Sequence, residues 1–157
     1  MLTQKARYGL RALAVLAEAD DGLARHAILP VQEIAERARA PRKFLEAILL
    51  DLRRAGFVDS ARGKAGGYAL ARPASEIRVS DLIRAIDGPL APIPCASLTA
   101  YRPCSDCPDP PRCAIRKVMR RVRDATAAVL DATTLAELVD APDLLAKTVA
   151  EPATERA

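Results

Sequence analysis

Apolar positions in the first 88 residues fall into short blocks with helical spacing. Leu10, Leu13, Ala14 and Ala17 recur at i, i+3, i+4, i+7 and share one helical face. Thr3 can cap this first helix and Asp20-Asp21-Gly22 ends it. After Pro30, Val31, Ile34, Ala35 and Ala38 repeat the same spacing and predict a short second helix. Arg39-Ala40 makes a tight turn, and Pro41 suits the first position of a third helix. The inward face of that helix is Leu45, Ile48, Leu49 and Leu52; Arg53 and Arg54 occupy its last turn, and Gly56 suits a left-handed terminator. Two short extended runs, residues 57–62 and 68–71, flank Gly63-Lys64-Ala65-Gly66-Gly67 and predict a β-hairpin. Ser80 can cap a brief helix through Ile86, closed by Gly88.

The pattern then breaks. Residues 89–113 hold seven of the 12 prolines and all four cysteines, which excludes helix or sheet interior. The stretch also lacks the apolar content to pack itself. A loop of this length in a small protein is functional or disordered. A long helix follows over about 113–131, in which Ile115, Val118, Val122, Ala125 and Val129 step by 3, 4, 3, 4. That is the narrow a/d seam of a coiled-coil pair, and it predicts a dimerisation helix, the alternative for two heptads being a stripe that packs back on its own chain. Thr134 with Glu137 offers a capping box for a further short helix. The expected organisation is a head at 1–88, a Cys/Pro-rich loop at 89–113, a dimerisation helix and short following helix at 113–141, and a fraying tail at 142–157.

Composition narrows the class. Half the chain is hydrophobic, yet aromatics are 3% and Trp is absent, so the core is aliphatic and favours packed helices. A charged fraction of 28% excludes wholesale disorder. No apolar run approaches the roughly 18 residues of a membrane span. At the N-terminus, Arg11 and Glu18 bound an uncharged stretch of only six residues, below the ~7–15 of a secretory core. The chain is therefore expected to be cytoplasmic, with no membrane partner and with its thiols reduced.

The net charge of +4 is unevenly placed: residues 1–87 carry 15 Lys/Arg and 11 Asp/Glu, whereas 88–157 carry 9 of each. Residues 39–72 alone hold 8 basic and 3 acidic side chains. Such an excess suits a polyanion-binding face or a solvated basic surface. A short helix, a tight turn and a second helix describe a helix-turn-helix, and a Gly-rich hairpin straight after it describes a wing. The fold expected is mainly α with a small β-hairpin wing.

Arg42 and Lys43 lie in the first turn of the third helix, where the macrodipole disfavours cations by roughly 0.3–1 kcal/mol each. Cations at the helix end that would enter a major groove point to DNA. Glu46 can accept from a cytosine amino group there, or pair with Arg42 at i, i+4. Arg62 and Lys64 flank the wing tip and suit a minor groove or phosphates, while Gly66 and Gly67 let the backbone turn tightly and approach DNA closely.

Cys95, Cys104, Cys107 and Cys113 lie within one short loop, where a disulfide framework would spread its cysteines along the chain. Reduced thiolates bind zinc or an iron–sulfur cluster, and four of them match either. The spacing supplies one C-x-x-C pair, Cys104 and Cys107, rather than the two usual in zinc knuckles. The residues alone leave zinc, a cluster and thiol-redox switching open. The single His, His26, lies in the first inter-helix loop and reads as a solvated residue. With no Ser–His–Asp set, P-loop or dinucleotide fingerprint, the chain does not read as an enzyme. An electron-transfer or cluster-carrier protein would leave the basic head unexplained.

The opening Leu2-Thr3-Gln4-Lys5-Ala6-Arg7-Tyr8-Gly9-Leu10-Arg11-Ala12-Leu13 resembles that of the Rrf-two family of bacterial winged helix-turn-helix transcriptional regulators and repressors. Phe44-Leu45-Glu46, the stretch Leu52-Arg53-Arg54-Ala55-Gly56-Phe57-Val58 and the wing Arg62-Gly63-Lys64-Ala65-Gly66-Gly67-Tyr68-Ala69-Leu70 are similar to its recognition helix and wing. The resemblance covers about residues 1–130. It implies a homodimer crossed through the long helix and reading a roughly palindromic operator in double-stranded DNA. It implies DNA contact by Glu46 and Arg62, and an iron–sulfur cluster, [2Fe–2S] or [4Fe–4S], on the Cys loop as a redox sensor. Cluster-bearing members look to have three Cys at even five-residue gaps, one kind adding a His three positions later. Here that position is Arg116; Cys107 and Cys113 match the gap best, and the third ligand is either Cys95 or Cys104, with the other available as a fourth.

Overall fold

The computed structural model describes residues 2–20, 27–63, 65–107 and 109–140. Lys64, His26 and the 142–157 tail lie outside the described residues. The elements run α1 (Gln4–Ala19), α2 (Val31–Arg37), α3 (Arg42–Arg54), β1 (Val58–Ala61), β2 (Gly67–Leu70), α4 (Val79–Asp87), α5 (Ala114–Ala132) and α6 (Leu135–Val139). The architecture is thus mainly helical with one two-stranded antiparallel hairpin.

Helix α1 begins as its sequence asks: the Thr3 hydroxyl accepts from the Ala6 N–H. Its buried residues are Ala6, Gly9, Ala12, Leu13, Val15 and Leu16. Of the expected face, only Leu13 is fully buried; Leu10 and Ala17 pack at the edge of the core. The reason is position. α1 touches α2, α3, α4, α6 and β2, so it buries more than one stripe. Gly9 faces α4 closely: a Cβ there would lie 2.6 Å from the end of the Ile86 side chain, which would have to shift.

The helix-turn-helix forms as expected. Ile34, Ala35 and Ala38 of the second helix and its C-cap meet Leu45, Ile48, Leu49 and Leu52 of α3 in one core. Between them Arg39 adopts φ +50, and Ala40 donates back to the Ala35 carbonyl at 3.0 Å. Pro41 is the N-cap of α3 rather than its first helical residue. Gly56, at φ +76, closes α3 in the left-handed region.

The hairpin pairs Val58 with Leu70, Asp59 with Ala69, Ser60 with Tyr68 and Ala61 with Gly67. Leu29 bridges Tyr68 on the outer edge of β2, each N–H donating to the other's carbonyl at 2.9 Å. Val58 and Leu70 point into the helical core and fasten the wing to it.

Ser80 is not the cap of α4; Arg78 holds that place and Ser80 is buried inside the first turn. Gly88, at φ +87, ends the helix as expected. Residues 89–113 are also better packed than their composition implied: a 3-10 turn, Pro94–Ala96, buries Cys95 and Ala96. The Thr134–Glu137 capping box is formed in full. Its helix, α6, returns to the head: Leu135 is buried in the common core, and its N–H donates to the Ile77 carbonyl at 2.8 Å.

Candidate functional site

Two surfaces carry chemistry, one on α3 and the wing, the other where the 89–113 loop meets α5. On α3 the buried row Leu45, Ile48, Leu49 and Leu52 turns Lys43, Glu46, Ala47 and Arg54 outward. Arg42 and Lys43 are the first two residues of the helix and are exposed, with no acidic residue beside them in that turn. The Arg42 Nε donates to Glu46 Oε1 at 3.0 Å, and its Nη1 reaches Gln32 Oε1 at 3.4 Å. The i, i+4 pair is thus the arrangement of the free protein, and Gln32 from α2 adds a partner that sequence periodicity does not reveal. Phe44, exposed on the flank, meets Tyr8 edge-on with ring centroids 5.8 Å apart. Arg62 and Gly63 are exposed at the wing tip.

The wing glycines have reasons inside the fold. A Cβ on Gly67 would lie 2.1 Å from the Leu29 carbonyl oxygen, and one on Gly66 2.7 Å from that of Ala61. Gly67 is buried under the Leu29 segment, so the close approach it permits is to its own chain.

The four cysteines are brought together as two neighbouring pairs. The Cys104 thiol donates to the Cys95 sulfur across 3.8 Å. Hydrogen bonding to Cys95 and the like charge it would carry push the Cys104 thiol up, with smaller contributions from lost hydration, Cys107 and Asp106. Lost hydration pushes Cys107 up as well, with Cys113 and Cys95 adding to it. Adjacent thiolates repel, so ionising this set is favoured by a bound cation. Cys113 is the N-cap of α5, its sulfur accepting from the Arg116 N–H at 3.5 Å. By donor type the four thiols fit zinc or a cluster. Among the described residues, however, no three His, Cys, Asp or Glu side chains gather closely enough to hold one metal ion.

Helix α5 shows two faces. The expected seam is turned outward: Ile115 is 67% exposed, Val118 51%, Val122 44% and Val129 65%. Ala125 is also exposed, and Val118, Arg121, Val122 and Ala125 line a shallow groove of about 410 Å³. The face packed on the chain itself carries Arg116, Met119, Arg123, Ala127 and Leu130, roughly a third of a turn away. Sequence patterning missed this face because two of its members are arginines. Arg116 Nε donates to the Cys95 carbonyl at 2.9 Å, and Arg123 Nη1 to the Ala96 carbonyl at 2.6 Å.

Comparison with known proteins decides the family. The profile described as Rrf2, iron-dependent transcriptional regulator, matches residues 2–141. The chain belongs to the Rrf2 family. An rrf2-like HTH-type transcriptional regulator of Rhodobacter capsulatus is 46% identical over 147 residues, covering 94% of this chain and 97% of that protein. An HTH-type transcriptional regulator of Mycobacterium tuberculosis is 38% identical over 138 residues, covering 87% of this chain and 80% of that one. Among solved structures, CymR, the global cysteine regulator of B. subtilis, superposes with a TM-score of 0.70 at 32% identity, covering 89% of this chain and 96% of that one. T. potens IscR superposes at 0.67 with 27% identity, covering 100% and 93%. The Rrf2 head is therefore a winged helix-turn-helix, as its helices and hairpin imply, and the chain is a transcriptional regulator rather than an enzyme. No helix of the described residues is long and apolar enough to cross a membrane.

Proposed function

We propose that this Rrf2 protein is a homodimeric, sequence-specific DNA-binding regulator whose operator affinity is set by an iron–sulfur cluster on Cys95, Cys104, Cys107 and Cys113. The observation that carries it is the position of the four thiols: they sit between the head and α5, and Cys113 is itself the cap of that helix. A bound cluster supplies a covalent cross-link within the loop and a charge that changes with redox state. Cys95 with Cys104 and Cys107 with Cys113 would hold the cluster as two pairs, which would not require all four sulfurs on one ion.

The chain's own residues perform the rest. Arg42 and Lys43 present positive charge at the N-terminus of α3, where it meets a major groove. Glu46 leaves Arg42 to accept from a base-edge amino group, with Arg42 turning to a phosphate or base. Arg62, with Lys64, contacts phosphate or the minor groove. The exposed stripe of Ile115, Val118, Val122, Ala125 and Val129 pairs with its copy, so two recognition helices face a palindromic operator. Cys95, held on α5 about a third of a turn from that stripe, ties the loop to the same helix that sets head spacing. A tenfold change in affinity needs only about 1.4 kcal/mol of difference between two arrangements of the heads.

Anaerobic purification with a visible spectrum and iron and sulfide assays tests this. A coloured protein holding iron and sulfide that loses both in Cys107→Ser and Cys113→Ser, with altered operator affinity, supports it. A colourless protein with stoichiometric zinc overturns the cluster.

A second reading has its own observation. Cys95 and Cys104 already stand 3.8 Å apart. Their two thiols can lose two electrons and two protons to a peroxide, forming one disulfide and releasing water. Peptide mapping after peroxide treatment of metal-free protein tests it; a Cys95–Cys104 link that changes DNA affinity supports this switch.

A further inference from the structure

The turn that carries Cys95 is held in an unusual way. Its three successive carbonyls all have partners: that of Pro94 accepts from the Ser97 and Arg102 N–H groups at 3.2 and 3.4 Å, that of Cys95 from Arg116, and that of Ala96 from Arg123. Residues 116 and 123 start about 10.5 Å apart along α5, two turns of helix, yet their guanidiniums converge on neighbouring carbonyls. Such convergence specifies one turn of chain at one place on the helix.

Arg123 is 6% exposed, and its other partner is the adjacent Asp124 carboxylate, which accepts from its Nε at 2.8 Å. A buried guanidinium is tolerated only when its donors are held, so the Ala96 carbonyl is a required partner. Arg116 reaches further. It also donates to the Pro110 carbonyl at 3.5 Å, lies over the Tyr101 ring at 5.5 Å, and gives its backbone N–H to Cys113 sulfur. One residue thus touches the segments before Cys104, before Cys113, and at Cys95 and Cys113 themselves. Cys95 is buried while Cys104, its partner, is exposed. A guanidinium has no acceptor and cannot itself ligate a metal.

We propose that Arg116 and Arg123 are positioning residues that dock the Cys95 turn on α5, making Cys95 a preplaced ligand of the thiol site and rigidly linking that site to the helix. This rests on the reading of the loop as a cluster site. The link has a direction. Any displacement of Cys95 moves two contacts on α5, a third of a turn from the exposed apolar stripe.

The test begins with metal-free protein, reduced and anaerobic, pulsed with N-ethylmaleimide and mapped by mass spectrometry. In the wild type, Cys95 reacts at least tenfold more slowly than Cys104. In Arg116→Gln and Arg123→Gln that ratio falls several-fold while circular dichroism stays near wild type; Tm holds in Arg116→Gln and drops in Arg123→Gln, whose guanidinium is buried, and Arg116→Lys restores part of the ratio. A ratio unchanged in both Gln variants overturns the docking. The same proteins are then reconstituted with ferrous iron and sulfide. Arg116→Gln should give the visible and electron paramagnetic resonance spectra of Cys95→Ser, and Arg116→Lys those of wild type. Wild-type spectra from both Arg116→Gln and Cys95→Ser overturn the ligand role of Cys95. A wild-type chain that takes up no iron overturns the cluster reading, and the alkylation ratio still decides the docking.

Discussion

The Arg84 guanidinium on α4 donates to the Asp131 carboxylate on α5 across 2.9 Å, and the same Nη1 reaches Asp81 at 3.3 Å. This is an ion pair between the head and the long helix. With the Ile77–Leu135 and Val79–Thr133 backbone bonds beside it, it sets how α5 leaves the head. The Arg84 contact, foremost, holds the Asp131 carboxyl below its ordinary value of 3.8.

A carboxylate depressed in the folded state stabilises fully above its unfolded pKa and loses that contribution as pH falls through the folded one. The Arg84–Asp131 contribution is therefore present at neutral pH and disappears below about pH 4. Both side chains are about a third or more exposed, so solvent screens the pair to about 0.5 kcal/mol. Asp131→Asn should lower Tm by about 1–2 °C at pH 7 and by less at pH 3. A loss equal at both pH values would place the effect in packing rather than charge. Lys5–Asp51, which joins α1 to α3 at 2.8 Å, follows the same sign because Lys5 holds the Asp51 carboxyl down.

DNA recognition separates into two measurable parts. Glu46, exposed and paired only within its own surface, is expected to read a base; Arg62, on the wing, to read phosphate. On an operator selected from a random duplex pool, Glu46→Ala should relax preference at one base pair per half-site by about 1–3 kcal/mol and leave the salt slope unchanged. Arg62→Ala should weaken all sequences alike and reduce the salt slope by about one per half-site, or about two for the dimer. Fluorescence anisotropy across a salt series checks both. Unchanged base preference in Glu46→Ala would remove it from the readout.

Much of this site was legible in residue order, for a physical reason. α3 is a surface helix with one apolar stripe, so Leu45, Ile48, Leu49 and Leu52 name its buried side, and the outward side follows. On α5 the apolar stripe was legible too, but there it marks an exposed side of the single chain, not a buried one. α1 misled because it is central: Ala12, Val15 and Leu16 are buried along with Leu13, and an Ala-rich helix apolar on several sides has no single stripe to read. The inner face of α5 was hidden because Arg116 and Arg123 are held by backbone carbonyls, which every residue has and no pattern marks. Gly67 was legible as a special position but not its reason, since Leu29, which crowds it, lies on a distant segment.

The seam makes a direct prediction about assembly. Ile115, Val118, Val122 and Val129 are large apolar side chains left in water by a single chain. A two-fold pairing of α5 would bury them against their copies. Val122→Asp then buries two like charges near one another and should weaken the dimer by about 3 kcal/mol, or about 100-fold. Sedimentation velocity at micromolar concentration should show a dimer for wild type and a monomer for the variant. Operator binding should fall with it, since a single head contacts half the site. A variant that remains dimeric would move the interface off this stripe.

Two glycines, Gly56 at the end of α3 and Gly67 in the wing, allow structural and DNA-contacting roles to be told apart. Gly56 has φ +76 and open space where a methyl would stand, so Gly56→Ala costs only the left-handed strain, about 1 kcal/mol. Gly67→Ala instead drives a methyl to 2.1 Å from the Leu29 carbonyl oxygen, a backbone atom that cannot rotate away. The Leu29–Tyr68 bridge must open or shift, at about 1–3 kcal/mol or more. Urea titration should therefore show Gly67→Ala less stable than Gly56→Ala, with the loss present in the absence of DNA. If Gly67→Ala kept wild-type stability and lost only operator affinity, the glycine would be serving the DNA and not the Leu29 strand edge.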